Sequence, residues 1–133
     1  MLRRDRYFMS LALNEAKKGI GSTSPNPMVG CVIVKNGKII STGYHKKFGE
    51  EHAEINAIKN VSPTKLKSAT MYVTLEPCCH YGKTPPCVDA IIQSGIKRVV
   101  IATKDPDERV FGRGIDLLNK AGIVTKVGVL EDD

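Results

Sequence analysis

Three residues of the sequence have the types and spacing of a catalytic zinc site. His52 stands two residues before Glu54, and two cysteines further along, Cys78 and Cys87, each directly follow a proline. One imidazole and two thiolates would supply three protein ligands and leave a fourth position for water, as in catalytic rather than structural zinc sites. We therefore predict that His52, Cys78 and Cys87 bind Zn²⁺.

Glu54 is the predicted catalytic residue of this site. Zinc lowers the pKa of a bound water, and a carboxylate that is not a ligand can carry the proton of that water. Residues two apart do not share a face in the middle of a helix, so His52 and Glu54 can serve one site only from the opening turn of a helix. The predicted chemistry is hydrolysis by a metal-activated water.

The loop between the two cysteines is longer than in the general zinc deaminase signature, H-x-E followed by P-C-x-x-C. Eight residues separate Cys78 from Cys87, and they include His80 and Lys83. We expect the two cysteines to lie at the ends of this loop, before a helix whose positive end favours thiolates. The loop itself should face the substrate.

Alternating strands and helices are predicted to position these residues. Asn36-Gly37 suits the type I′ turn of a β-hairpin. Hydrophobic periodicity and breaking residues predict strands over 28–34, 38–44, 69–75, 98–102 and 123–129, and helices over 52–60, from about 86 to near 95, and over 112–120. Helices between strands imply parallel neighbours, so the predicted fold is α/β: a three-layer α-β-α arrangement on a mixed five-stranded sheet, with an N-terminal antiparallel hairpin followed by parallel βα units.

The basic N-terminal stretch is predicted to be an amphipathic helix rather than a secretory signal. Polar residues interrupt its apolar run, while Phe8, Leu11, Ala12 and Ala16 fall at helical spacing. No apolar stretch approaches the length of a membrane span, so we expect a cytoplasmic protein without a membrane partner. Four cysteines then indicate metal binding or free thiols rather than disulfides, with Cys31 in the core of a strand.

Composition and charge narrow the possible partners. The 133 residues are 41% hydrophobic, which suits a single domain over 1–133. The net charge of +6 suits a phosphorylated small molecule or nucleic acid, but 5% aromatic content without Trp leaves few side chains for stacking single-stranded bases. Charge alone does not separate the two, and the low aromatic content weakens the nucleic-acid alternative only slightly. The expectation of a small-molecule substrate and no nucleic-acid partner therefore depends on the longer motifs of the sequence.

Longer motifs identify a family. S-P-N-P-M-V-G-C-V-I-V, G-Y-H-K-K-F-G-E-E-H-A-E, Y-V-T-L-E-P-C-C-H-Y-G-K-T-P-P-C, K-D-P and G-R-G follow one another along the chain. The sequence closely resembles, over its whole length, the deaminase domain of the bifunctional riboflavin-biosynthesis deaminase/reductase, within the cytidine deaminase-like superfamily. The G-K-T-P-P-C segment distinguishes this family from the deaminases of nucleosides and of transfer RNA, which typically keep the short C-x-x-C.

The resemblance implies a substrate and further site residues. The substrate would be 2,5-diamino-6-ribosylamino-4(3H)-pyrimidinone 5′-phosphate, converted to 5-amino-6-(5-phosphoribosylamino)uracil with Glu54 as base and then acid. The residues implied to bind it are Asn26, His45, His80, Lys83 and Asp105. Two positions depart from the family pattern: Cys79 stands where Ser is common, and Asp107 where Asn is common.

The resemblance also implies partners for this protein. The family's usual C-terminal reductase domain is absent from these 133 residues, so a separate or excised reductase should perform the next step. A homo-oligomer is expected, as in related deaminases.

The residues also allow two alternative functions. One alternative is a deaminase of transfer-RNA adenosine, a free base or a nucleoside. Another is a structural zinc module or small RNA-binding domain, in which Cys79 or His80 would be the fourth ligand.

Overall fold

The computed structural model describes residues 3–19, 28–45, 52–78, 87–103 and 112–129. The helices and strands of these ranges are, in chain order, α1 Arg3–Ala16, β1 Gly30–Lys35, β2 Lys38–Tyr44, α2 Ala53–Lys59, α3 Pro63–Leu66, β3 Thr70–Leu75, α4 Cys87–Ser94, β4 Arg98–Thr103, α5 Arg113–Lys120 and β5 Val124–Val127. A single 3-10 turn over Lys17–Gly19 follows α1. Within the described ranges no helix combines the length and the apolar character that crossing a membrane requires.

The strands form one mixed sheet in the order β2-β1-β3-β4-β5. β1 pairs antiparallel with both β2 and β3, whereas β3, β4 and β5 run parallel. The predicted mixed sheet is therefore confirmed. β5 is shorter than predicted because Gly128, with φ 96, turns the backbone into the left-handed region directly after Val127.

The hairpin between β1 and β2 turns at the predicted dipeptide. Asn36 and Gly37 both have positive φ, 52 and 77, as a type I′ turn requires, and Lys35 pairs with Lys38. The sequence analysis did not predict the register shift between Ile33 and Val34. Such a shift increases the local bend of a strand.

The three central strands, β1, β3 and β4, are buried on both faces, as the predicted three-layer arrangement requires, whereas the edge strands β2 and β5 are partly exposed. Successive strand residues point to opposite faces, so Cys31 and Ile33 face one core and Val32 and Val34 the other. The first core also contains side chains of α2, α3, α4 and α5, and the second contains those of α1. Helices thus cover both faces, four on one side and α1 on the other.

α1 covers its face with more than the predicted apolar residues. Phe8, Ala12 and Ala16 are buried as expected, and Leu11 is partly buried, but Met9 is completely buried as well. Asp5 is also fully buried. Its carboxylate accepts hydrogen bonds from three side chains of the sheet, namely Tyr72 (2.7 Å), Arg98 (3.0 and 2.7 Å) and Lys126 (3.4 Å). A charged residue therefore ties α1 to three strands.

The start of α2 is fixed against the hairpin. A Cβ atom on Gly43 would lie 2.5 Å from the carbonyl oxygen of Ala53, so only glycine allows the helix backbone to approach β2 this closely. The Ser41 hydroxyl donates to the carbonyl of Ala57 (2.6 Å), and the Asn56 amide donates to the carbonyl of Tyr44 (2.9 Å). These contacts set where the opening turn of α2 lies.

Candidate metal centre

His52 and Glu54 lie in the opening turn of α2. His52 is the residue before the first helical position and has extended backbone angles, φ −73 and ψ 168, while its carbonyl accepts the hydrogen bond of Asn56 N (3.0 Å). Glu54 is the second helical residue. His52 and Glu54 therefore lie in the same opening turn of a helix, which is the arrangement they need in order to serve one site.

Cys78 and Cys87 meet at the start of α4. Cys87 is the first residue of that helix, and its backbone N–H donates to Cys78 Sγ (3.2 Å). The next N–H, of Val88, donates to the Cys78 carbonyl (3.2 Å). The positive end of a helix and the N–H donated by Cys87 favour a thiolate at Cys78.

The three predicted ligand atoms converge to a separation that suits one zinc ion. His52 Nδ1 lies 3.3 Å from Cys87 Sγ and 3.8 Å from Cys78 Sγ, and all three atoms lie within 4.8 Å of one another. Zinc bonds of roughly 2.0 Å to nitrogen and 2.3 Å to sulfur would place two tetrahedral ligands about 3.5 Å apart. Two sulfurs and one imidazole are also the donor set that zinc prefers, so the residues fit the metal.

The crowded sulfur and nitrogen atoms shift one another's pKa values. The hydrogen bond between the two thiol groups lowers the pKa of Cys78 to about 4 and raises that of Cys87. The hydrogen bond to Cys78 raises the pKa of His52. A proton thus stabilises the cluster by partly neutralising it, and a bound cation would take the place of that proton.

Glu54 lies beside the cluster with little access to solvent. Glu54 is 3% exposed. Burial raises the pKa of its carboxyl to about 7, and the charge of Cys78 contributes to the same shift. A hydrogen bond with its own backbone opposes this shift, and so, to a lesser extent, do the charge of His52 and a hydrogen bond with Cys87. A carboxyl group in this environment can hold and release a proton near neutral pH.

Of the predicted substrate-binding residues, only His45 falls within the described ranges. It is 2% exposed, and its ring stands edge-on to that of His52, with the centroids 5.1 Å apart and the planes at 86°. Its backbone N–H donates to the carbonyl of Val29 (3.1 Å). The other four residues, Asn26, His80, Lys83 and Asp105, lie outside the described residues, as do Cys79 and Asp107.

Sequence reasoning missed Glu76, a buried residue two positions before Cys78. Its carboxylate accepts hydrogen bonds from the backbone N–H groups of Gly112 (3.0 Å), Gly114 (3.0 Å) and Ile115 (3.3 Å) at the start of α5. A signal did exist. α5 begins at Gly-Arg-Gly, where no side chain suited to capping its own N–H groups is present, so an acceptor had to come from elsewhere.

Comparisons with known proteins agree with this geometry. The model of the cytidine and deoxycytidylate deaminase zinc-binding region matches residues 2–103. A diaminohydroxyphosphoribosylamino-pyrimidine deaminase of Buchnera aphidicola (subspecies Schizaphis graminum) is 55% identical over 130 residues, which are 98% of this chain and 88% of that protein. The riboflavin biosynthesis protein RibD of Aquifex aeolicus is 56% identical over 97% of this chain, which spans 36% of that relative.

A solved structure extends the likeness to three dimensions. RibD of Acinetobacter baumannii (form 1) superimposes with a TM-score of 0.96 and 47% identity, covering 99% of this chain and 37% of that one. The chain spans about a third of the two RibD proteins and most of the separate Buchnera deaminase. The predicted cytidine deaminase-like fold is confirmed, and the chain belongs to the cytidine and deoxycytidylate deaminase zinc-binding family, among its diaminohydroxyphosphoribosylaminopyrimidine deaminases.

Proposed function

We propose that this protein removes the 2-amino group of 2,5-diamino-6-ribosylamino-4(3H)-pyrimidinone 5′-phosphate by hydrolysis, as a zinc-dependent step of riboflavin biosynthesis. One observation carries the proposal: His52 Nδ1, Cys78 Sγ and Cys87 Sγ lie within 4.8 Å of one another beside a buried Glu54. The names of the relatives support the substrate, since identity to the Buchnera deaminase is 55% across nearly the whole chain.

His52, Cys78 and Cys87 would hold the zinc ion. When bound, zinc supplies the Lewis acidity that brings the pKa of a coordinated water near neutrality. Glu54 takes a proton from the attacking water and passes it to the ring nitrogen. It then takes the second proton, from the hydroxyl group formed at C2, and gives it to the departing amino group. The water oxygen bonds to C2, the bond from C2 to the amino group breaks, and C2 becomes a carbonyl. The net reaction consumes one water and releases one ammonia.

His45 is proposed to border the substrate because its ring contacts that of a proposed metal ligand, His52. Asn26, His80, Lys83 and Asp105 stay predicted substrate contacts. The net charge of +6 supports a phosphorylated substrate. The cytoplasmic location, the homo-oligomer and the reductase for the next step stay predictions.

The substrate is tested by measuring ammonia release. The zinc-loaded protein is incubated with the diaminopyrimidinone phosphate and, in parallel, with cytidine, deoxycytidylate and adenosine-containing RNA. We expect ammonia from the diaminopyrimidinone phosphate alone. Inosine in the RNA, with no turnover of the pyrimidinone, would instead assign the protein to the transfer-RNA deaminases.

The metal site is tested with a matched pair of cysteine variants. Cys87→Ala removes one proposed ligand, whereas Cys31→Ala removes an equally buried thiol from the apolar core. We expect zinc per chain, measured by elemental analysis, to fall close to zero in the first variant and to stay at the wild-type value in the second. Retention of zinc by Cys87→Ala would contradict the proposed ligand set.

A further inference from the structure

The carboxylate of Glu76 joins two distant elements next to the metal centre. Glu76 directly follows β3, is 2% exposed, and its backbone N–H donates to the carbonyl of Thr103 at the end of β4 (2.9 Å). Its side chain accepts the N–H groups of Gly112, Gly114 and Ile115, which open α5. The first residues of a helix usually obtain such an acceptor from their own capping side chain. For α5, which follows β4, the acceptor is instead Glu76, which follows β3.

The first turn of α5 also contacts the backbone between Glu76 and Cys78. A Cβ atom built on Gly114 would overlap the carbonyl oxygen of Pro77 and lie 3.3 Å from Glu76 Oε2. Only glycine leaves room for this approach. The chain leading to Cys78 therefore packs directly on α5, and the Glu76 carboxylate holds the two together.

Cys78 is held from two directions. The N–H groups of Cys87 and Val88 bind the sulfur and the carbonyl of Cys78, which fixes the two cysteines with respect to each other. A zinc ion requires each ligand atom to lie within about 0.2 Å of its usual distance from the metal, so the position of Cys78 relative to His52 must be accurate. The joint between Glu76 and the start of α5 adds a restraint on the backbone that leads to Cys78.

We propose that Glu76 is a positioning residue of the metal centre, which holds Cys78 at its distance from His52 by binding the N-terminus of α5. This inference rests on the proposed function, in which Cys78 is a metal ligand. Residues that orient metal ligands commonly change metal affinity by about 10- to 100-fold when they are replaced. Glu76 would act in the same way, through the backbone of Pro77.

Two variants test the joint from its two sides. Glu76→Gln keeps the size of the side chain but replaces one acceptor oxygen with an amide that faces N–H donors. Gly114→Ala keeps the carboxylate and displaces Pro77 through the added methyl group. For both we expect zinc affinity, measured by competition with a chelator, to fall about 10- to 100-fold. With cobalt in place of zinc, the thiolate-to-metal absorption should weaken towards that of a single thiolate.

Asp5→Asn is the control for a loss of stability alone, because Asp5 lies on the opposite face of the sheet. It should lower the unfolding free energy while leaving zinc affinity and the cobalt spectrum unchanged. If Glu76→Gln does not fold, Gly114→Ala decides by the same readouts. Wild-type affinity and spectrum in the folded variants, or an equal loss in Asp5→Asn, would overturn the inference. Absence of zinc binding by the wild-type protein would overturn the proposed function as well.

Discussion

Two carboxylates are buried on opposite faces of the sheet, and their surroundings act on them in opposite directions. Asp5 is 0% exposed and Glu54 is 3% exposed. The hydrogen bond from the Arg98 guanidinium, with help from Tyr72 and Lys126, holds the pKa of Asp5 well below its usual range. Burial instead raises the pKa of Glu54 to about 7. Near neutral pH the same chemical group is thus charged in one core and able to exchange a proton in the other.

The difference teaches what each group does. Asp5 is paired with cationic side chains, so its charge contributes to the attachment of α1 to the sheet. Glu54 lies against a cluster of sulfur atoms, where a negative charge is disfavoured and a proton is easily held. A buried carboxyl whose charge is balanced by cations supports structure, whereas one whose charge is disfavoured by burial, beside a proposed metal site, is suited to proton transfer.

The largest effect is expected from Glu54→Gln. The amide preserves shape but cannot accept and return a proton, so the rate of ammonia release should fall by about 10²- to 10⁴-fold. Zinc content and unfolding free energy should stay near the wild-type values, because the amide carries no charge to bury. Turnover within a few-fold of wild type would remove Glu54 from the mechanism.

Asp5→Asn should produce the reverse result. Removing the carboxylate leaves the Arg98 guanidinium without its partner in a largely buried position, and such a loss costs about 2–4 kcal/mol when the remaining ion keeps some water. Arg98 keeps this contact with water, since 24% of its side chain is exposed. Urea denaturation measures the loss, and ammonia release per folded molecule should be unchanged. A variant as stable as the wild type would show that the ion pair contributes nothing.

The pH dependence of stability should separate the Asp5 contribution from the others. The folded-state pKa of Asp5 lies below its unfolded value of about 3.9, so its contribution is complete well above that pH and is lost as pH falls towards the folded value. The difference in unfolding free energy between wild type and Asp5→Asn should therefore narrow below about pH 4, by up to about 1.4 kcal/mol per pH unit. Acid would release bound zinc from both proteins alike, because the proposed ligands become protonated, so that effect should cancel in the difference. A constant difference would contradict the depressed pKa.

The smallest effect is expected from Lys126→Ala. Its Nζ lies 3.4 Å from Asp5, further than the Arg98 nitrogens, and 31% of its side chain is exposed. Solvent screens such a contact, so the unfolding free energy should fall by less than about 1 kcal/mol. A loss as large as that of Asp5→Asn would show that Lys126, rather than Arg98, balances the carboxylate.

Most elements could be predicted because their signals are local. The two adjacent residues Asn36 and Gly37 are enough to predict the type I′ turn. The apolar spacing of Phe8, Ala12 and Ala16 indicates which side of α1 is buried. Asp5 escaped prediction because its partners lie 67 to 121 residues away, and nothing in their spacing shows that they meet. A charged residue on an apolar helix face can be recognised as paired only when the strands beneath it are in place.

The sequence by itself determined the chemistry available to this protein. One histidine, two cysteines and a glutamate can hold zinc and move a proton, and the motif G-K-T-P-P-C indicates the substrate class. Only the tertiary structure decided that Nδ1 of His52 lies 3.3 Å from Cys87 Sγ, and that Glu76 binds the start of α5. Residue types are local properties of the chain, whereas these distances depend on how three helices cross one sheet.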